Sequence, residues 1–481
     1  MEQNSGKLVK KGLFWSFADN ILQQVVNFIV GIILARILSP EEFGILGIIT
    51  IFIAISATFV DSGLSSALIN KQDASDSDYN TVFWSNVLFG LLMYALLFFS
   101  SYAIADFFEE KSLVSLVRIA SLSLVFVAFS SIQRTLYMKL INFRIITIVS
   151  IISVVISGIT AIYMALEGYG VLSLVVRIVL GQCITLLLFW TLSKWRPRFE
   201  FNKESFLRMY RYGVNLQMSK MINTLSNNLY YFIIGKFFSP AILGYYTRAN
   251  TFKDLASNNI STSVDRVSFA SLSKITDRRA RLEQFRKFLF VTMWIASLFM
   301  CILFICAKPI VLILIGEKWA TSIIYLKILA LSGILLPIYS LNINLLAIGQ
   351  KTKKYLTIEI LSKLLVVPIV IAGVYYGIEV MLKCIVLHSV VIYIMSVVSL
   401  RKYESIGYKK QLMPSIKLIG IFTLCTLGLL YLNSLFGFEN LYLELVVNGF
   451  LIVGIFLILS RLLLKRESEF IWVYLKNFKW S

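Results

Sequence analysis

Charge is scarce in this chain: 15% of its 481 residues are charged, 58% are hydrophobic, and the mean hydropathy is +0.80. Too little polar surface remains for a sizeable soluble domain. Histidine occurs once and cysteine five times. Cys183, Cys301, Cys306, Cys384 and Cys425 all fall inside apolar stretches at no metal-like spacing, so they read as small buried hydrophobes, with no disulfide or zinc site expected. His388, also in an apolar stretch, reads as a packed or hydrogen-bonded histidine rather than a proton relay. No metal and no cofactor is expected.

Apolar runs are what the chain has in abundance. A helix rises about 1.5 Å per residue, so crossing a roughly 30 Å hydrocarbon core takes about 20 mostly apolar residues. Fourteen stretches meet that length: 13–38, 43–69, 80–105, 113–137, 145–166, 171–193, 210–235, 241–271, 286–315, 320–349, 355–377, 379–400, 415–436 and 441–464. The expected fold is an all-α polytopic membrane protein of about fourteen transmembrane helices. The first stretch follows three lysines but is too long for a cleaved signal peptide and has no small-residue cleavage pattern after it.

Formal net charge is +20 and the isoelectric point is near 9.6. In a soluble protein this would suggest a nucleic-acid partner. Here the basic residues fall almost wholly in alternate connections: Lys7, Lys10 and Lys11; Lys71; Arg134, Lys139 and Arg144; Lys194 to Arg211; Lys274 to Lys287; Lys351, Lys353 and Lys354; Arg401 to Lys417; and the tail from Arg461. That places about 32 of the 46 Lys and Arg on one side and about five on the other. The bias predicts cytoplasmic termini, loops that lie against anionic membrane lipids, and no nucleic acid.

An internal repeat organises the chain. Residues 12–47 align without a gap on 212–247, setting Asn27 on Asn227, Arg36 on Lys236, and Ser39-Pro40…Gly44 on Ser239-Pro240…Gly244. A weaker match pairs Val117-Arg118-Ile119 with Leu326-Lys327-Ile328. Six spans per repeat is an even number, so both halves enter the membrane in the same direction, as parallel repeats around a central cleft. The expected division is 1–200, 201–402, and an appended pair of spans with a cytoplasmic tail in 403–481, the pair packed against lipid.

The informative chemistry lies where polar residues occur at membrane depth. Asp19, Asn20, Gln23 and Asn27 fall within about one 100° arc of span 1. Span 7 carries Gln217, Lys220, Thr224, Asn227, Asn228 and Tyr231. Span 8 carries Asn250, Asp254, Ser257, Ser261 and Asp265 on one stripe, with Lys253 at its edge and Arg248, Asn259 and Arg266 round the other side. A charge at the bilayer centre costs about 3 kcal/mol on insertion scales, so such stripes face the bundle interior or water. Spans 1, 7 and 8, with Asp61 of span 2, therefore line the cleft. The alternative is that these groups pair between helices and hold the bundle together. Glu359–Lys363 and Glu379–Lys383 are i,i+4 pairs that neutralise within one helix. Arg118, Arg177 and Lys327 lie near span ends and can snorkel to the headgroups.

Several stretches carry a resemblance: Leu34-Ala35-Arg36…Ser39-Pro40-Glu41-Glu42-Phe43-Gly44, Asp61-Ser62-Gly63-Leu64-Ser65-Ser66-Ala67, Thr81-Val82-Phe83-Trp84, Arg211-Tyr212-Gly213, Gly244-Tyr245-Tyr246-Thr247-Arg248-Ala249 and Gly316-Glu317-Lys318-Trp319. In order and spacing the chain resembles the polysaccharide transporter branch of the multidrug/oligosaccharidyl-lipid/polysaccharide flippase superfamily, and within it the O-antigen and colanic acid exporters of lipopolysaccharide biosynthesis. The resemblance implies a flippase, not an enzyme, that carries an undecaprenyl-diphosphate-linked oligosaccharide across the inner membrane by ion-coupled alternating access. It also implies partners in the glycosyltransferases and polymerase of the same pathway. Arg36, Asp61 and Arg248 match by position. Thr251-Phe252-Lys253-Asp254-Leu255 departs from relatives, which often have an apolar run and a proline there, so Lys253 is not carried over.

The residues suit such a substrate. Arg248, Lys220 and Lys253 are candidates for its diphosphate, Arg as a bidentate fork and Lys as a point charge. Gln23, Asn27, Gln217, Thr224, Asn227, Asn250 and Ser257 are candidates for its sugar hydroxyls. Asp19, Asp61 and Asp254 are candidates for coupling to H⁺ or Na⁺. A multidrug antiporter would favour an acidic, aromatic cavity, against which the cations of spans 7 and 8 count. A membrane glycosyltransferase, ligase or polymerase would need a sizeable outer loop, and every outer connection is short. A non-transporting scaffold would carry buried polar stripes without use.

Overall fold

The computed structural model describes residues 2–61, 63–349, 352–404, 407–436 and 438–464. Ser62, Lys351 and the tail beyond Leu464 lie outside the described residues, as do the side chains of Lys7, Lys10, Arg266 and Lys353 and parts of the run from Arg401 to Lys417. The described chain is helical, as a bilayer demands: within hydrocarbon, backbone N–H and C=O groups must be satisfied inside the segment itself. Two compact units divide it, Met1–Gly244 and Tyr245–Ser481.

The first unit holds α1 (Glu2–Ile37), α2 (Pro40–Asp61), short α3 (Leu64–Asn70), α4 (Asp76–Phe108), α5 (Leu113–Lys139), α6 (Phe143–Leu166), α7 (Val171–Leu192) and α8 (Lys203–Phe237). Helix α5 packs on α4 and α7, α6 on α1 and α7, and α2 on α5 and α8. The start of α2 is written locally. Ser39 and Glu42 form a reciprocal cap, Ser39 N donating to Glu42 Oε2 at 2.6 Å and Glu42 N to Ser39 Oγ at 3.3 Å, with Pro40 in the first turn.

The sequence repeat has a physical consequence here. A Cβ on Gly44 would fall 1.8 Å from the Pro240 carbonyl oxygen, and one on Gly244 1.8 Å from that of Pro40. The two Ser-Pro…Gly motifs rest on one another reciprocally, and only glycine leaves room for the approach. Span 2 is broken where one helix was expected: α2 stops at Asp61, and Gly63, with φ of 69°, starts α3. Left-handed backbone at that position favours glycine.

The second unit holds α9 (Pro240–Leu272, which starts in the first), α10 (Arg278–Ile305), α11 (Ala307–Leu314), a 3₁₀ turn (Glu317–Trp319), α12 (Thr321–Gly333), α13 (Leu336–Ile348), α14 (Thr352–Leu364), α15 (Val366–Tyr376), α16 (Ile378–Glu404), α17 (Tyr408–Phe436) and α18 (Leu441–Leu463). Three expected spans are each split, and proline explains all three. Pro309, Pro337 and Pro368 stand four residues after the ends of α10 at Ile305, α12 at Gly333 and α14 at Leu364. A proline lacks the N–H that would bond the carbonyl four residues back, and its ring clashes with that carbonyl. Asp277 caps α10, accepting from Ala280 N at 2.9 Å and Arg279 N at 3.3 Å, and these bonds hold its carboxyl below the usual range.

Twelve stretches are long and apolar enough to cross a membrane among the described residues. Helices α8 and α9 are long enough, at 35 and 33 residues, but too polar to count. They are the expected spans 7 and 8. The last two helices correct a second expectation. Rather than facing lipid alone, α17 and α18 pack on α10, with Ile452 and Phe456 fully buried and Trp294 Nε1 donating to Ser460 Oγ at 3.1 Å. Fully burying a side chain such as Phe456 removes it from any lipid-facing role, so one stripe of α18, Glu444, Asn448, Ile452, Phe456 and Ser460, faces the protein interior.

Candidate functional site

Helix α8 begins at the Asn202 cap, whose side chain accepts from Ser205 N at 3.0 Å. Eleven residues on, Gly213 meets the backbone of Gly63: a Cβ on Gly213 would lie 2.8 Å from the Gly63 carbonyl carbon. That contact seats α8 against the junction of α2 and α3. Lys220 lies seven residues beyond Gly213, two turns along the same face. Its Nζ reaches Asp61 Oδ2 at 2.6 Å, and the two side chains are 46% and 38% exposed. Two residues read as candidates for different roles, diphosphate binding and ion coupling, are thus ion-paired. Gln217 is buried one turn before, Thr224 is half-buried one turn after, and Asn227 is exposed.

On α1, Asp19 and Gln23 are half-buried and Asn27 is exposed. Asp19 Oδ1 is buried without a hydrogen-bond partner among the described residues. Asn27 Oδ1 accepts from Arg177 Nη2 of α7 at 2.6 Å, so Arg177 is tied to a polar partner instead of snorkelling. Arg118 does not snorkel either: its Nε donates to Ser101 Oγ at 2.9 Å, and its guanidinium lies 4.3 Å from the Phe98 ring centroid.

On α9, Arg248 is half-buried, while Asn250, Lys253 and Ser257 are buried. Lys253 Nζ pairs with Asp254 Oδ1 at 3.0 Å, and Asn250 Nδ2 donates to Asp254 Oδ2 at 2.8 Å. Asp254, one-third exposed, therefore gathers a cation and an amide from its own helix. Ser257 Oγ donates to the Gly333 carbonyl at 3.3 Å. Asp265 accepts from Ser340 Oγ at 2.6 Å and Asn344 Nδ2 at 2.7 Å, which fixes α9 to α13. Lys363 and Glu359 approach to 4.0 Å as read from their spacing, and Glu379 and Lys383 form no ion pair among the described residues.

Sequence reasoning missed a polar knot where the α7–α8 connection meets α4. Asp78, nearly inaccessible, pairs with Lys71 at 2.6 Å, completes a cap with Ser75, and accepts a hydrogen bond from Ser205. Beside it, Arg198 N donates to Asn80 Oδ1 at 2.9 Å and Trp84 Nε1 to the Arg198 carbonyl at 2.8 Å. The one local signal was Ser75-x-x-Asp78, a capping-box spacing. No group of three or more His, Cys, Asp or Glu is placed to hold a metal among the described residues.

Polar faces on α1, α8 and α9, the last two bearing Lys220, Arg248 and Lys253, thus stand beside the twelve apolar spans of the described residues. The fold of the chain is similar to that of a solved structure of the lipid II flippase MurJ, with a TM-score of 0.75 over 94% of this chain and 98% of that one at 16% identity. Among curated proteins it is 28% identical to the succinoglycan biosynthesis transport protein ExoT of Rhizobium meliloti (strain 1021), over 72% of this chain and 70% of that one. It is 24% identical to the lipopolysaccharide biosynthesis protein WzxC of Escherichia coli (strain K12), over 75% and 74%. Residues 33–324, more than half of the chain, match the family described as polysaccharide biosynthesis protein, and this multi-span membrane protein belongs to that family.

Proposed function

We propose that the chain is a flippase, not an enzyme, that moves an undecaprenyl-diphosphate-linked oligosaccharide from the cytoplasmic to the periplasmic leaflet by alternating access coupled to an H⁺ or Na⁺ gradient. The observation that carries this reading is the polarity of α8 and α9, two helices of bilayer-crossing length with Lys220, Arg248 and Lys253 among amides and hydroxyls. A lipid-linked sugar keeps its hydrocarbon tail in the bilayer and presents a diphosphate and a glycan that cannot enter it. Cations offset the first, and Gln, Asn, Ser and Thr suit the second.

On this reading the protein sits in the inner membrane with both termini cytoplasmic, and the loop charges support that orientation. Residues 1–200 and 201–402 are parallel repeats, with 403–481 added after them, and the matched Ser-Pro…Gly motifs support the repeat. Pathway glycosyltransferases and a polymerase are the partners such a substrate requires.

Proteoliposomes holding the purified protein and a fluorescent undecaprenyl-diphosphate oligosaccharide test the reading. Substrate in the inner leaflet becomes accessible to an external glycosidase in proportion to protein and to an imposed ion gradient. No protein-dependent exposure, or exposure only of cationic dyes added in its place, would reject the flippase reading and favour a multidrug antiporter.

A further inference from the structure

A cavity of about 490 Å³ opens where α1 meets the α5–α6 connection, lined by Lys11, Gly12, Trp15, Leu140, Ile141, Arg144 and Ile148 among others. Its size is within the roughly 300–1,000 Å³ of small-ligand pockets. The apolar spans of α1 and α6 begin at Phe14 and Phe143, so the cavity straddles the first turn of both, at the level of lipid headgroups. Two cations line it, and no carboxylate does among the described residues. Arg144 lies 5.9 Å from the Trp15 ring centroid, and Thr147 Oγ1 donates to the Trp15 carbonyl at 3.1 Å, tying α6 to α1 beside the cavity.

One wall of the cavity is built under strain. Helix α5 ends with Ile141 N donating to the Met138 carbonyl and Asn142 N to the Tyr137 carbonyl, a turn whose left-handed residue is usually glycine. Here it is Ile141, at φ 54°, a β-branched residue that this region strongly disfavours. The strained backbone lays the Ile141 side chain over Gly12 of α1, where a Cβ on Gly12 would meet its Cγ2 at 2.7 Å. Of the two non-glycine residues with left-handed backbone among the described residues, Glu109 and Ile141, only Ile141 is β-branched. It keeps an apolar wall beside Lys11 and Arg144, and strain retained in that way marks sites that bind.

We propose that this cavity binds the phosphate headgroup of an anionic phospholipid, with Lys11 and Arg144 on the phosphate and Ile141 and Ile148 beside the upper acyl chain. A free anion would gain nothing from the exposed Leu140 and Ile148, whereas an acyl chain does. The indole of Trp15 suits the same interfacial level.

Native mass spectrometry of the full chain in detergent, titrated with phosphatidylglycerol, tests this. Two cations at about 1 kcal/mol each predict that Lys11→Gln/Arg144→Gln weakens binding of the first lipid about 30-fold. Lys274→Gln/Arg279→Gln removes the same charge from exposed positions, one after the end of α9 and one in the first turn of α10, and leaves that affinity unchanged. Phosphatidylcholine binds far more weakly, and millimolar inorganic phosphate does not displace phosphatidylglycerol. Equal losses in both double variants, or equal binding of the two lipids, would reduce the effect to general charge or apolar adsorption and overturn the proposal. Displacement by inorganic phosphate would make it a free-anion site and overturn the lipid assignment.

Discussion

Lys220 Nζ lies 2.6 Å from Asp61 Oδ2, joining α8 to the last residue of α2. Both side chains are more than a third exposed, so solvent screening limits the pair to about 1 kcal/mol of stability or less. Lys220→Gln and Asp61→Asn are therefore expected to melt close to the parent protein. Their transport should separate: Lys220→Gln loses substrate affinity, while Asp61→Asn keeps affinity and loses dependence on the ion gradient. Matching defects in both would mean that the pair acts as one structural strut.

Asp19 stands in contrast. Its buried Oδ1 has no partner among the described residues, and an unsatisfied buried acceptor is expensive to keep. We expect Asp19→Asn to leave thermal stability equal or higher and to lessen the dependence of transport on the gradient. Transport that tracks the gradient as before would return Asp19 to helix packing.

The reciprocal seat of Gly44 on Pro240 and Gly244 on Pro40 predicts paired sensitivity. Backbone cannot yield as a flexible side chain does, so Gly44→Ala and Gly244→Ala should each cost about 1–3 kcal/mol or more through overpacking. Gly420→Ala in α17, with open space around it, should be neutral or stabilising by about 0.5–1 kcal/mol. Detergent melting curves of the three variants decide it. A tolerated Gly44→Ala would show that the motifs do not bear on each other.

Much of the fold was legible because bilayer spans are local. Twenty apolar residues in a row announce a helix wherever the rest of the chain goes, and Ser39-Pro40…Gly44 and Ser239-Pro240…Gly244 could be matched by eye. The splits after Ile305, Gly333 and Leu364 were legible in principle, since each proline sits in the string at the required distance. Hydropathy averaged over a span hides them. Long-range pairing was not legible. Nothing near Lys220 points to Asp61, 159 residues away, nor does anything near Asp78 point to Ser205. The core role of α18 was hidden for a further reason, because an apolar helix satisfies lipid and protein equally well.

Orientation has a direct check. Single cysteines at Ser75, in the connection before α4, and at Glu110, in the connection after it, sit at opposite ends of one 33-residue helix. A membrane-impermeant thiol reagent applied to intact cells should label Glu110→Cys and spare Ser75→Cys until the membrane is opened. The reverse pattern would invert the topology, and the cytoplasmic assignment of the basic loops with it.

The final expectation concerns Arg248, half-buried in the third turn of α9 between Thr247 and Ala249. The diphosphate is the one part of the proposed substrate that must lose water while it crosses, so it needs a countercharge fixed at membrane depth. Arginine offers a planar fork that meets two phosphate oxygens at once, and lysine offers only a point charge. Truncating one partner of a buried charged contact costs about 2–5 kcal/mol, much of it from the group left unpaired. Arg248→Ala should therefore abolish glycan export in cells at normal protein level, and Arg248→Lys should restore part of it. Lys220→Ala, losing a more exposed charge, should fall between them. A structural arginine would behave differently: both Arg248 variants would lower protein level or melting temperature, and the surviving protein would export at the parent rate. Full export by Arg248→Ala and Lys220→Ala together would remove the cations of α8 and α9 from substrate binding altogether.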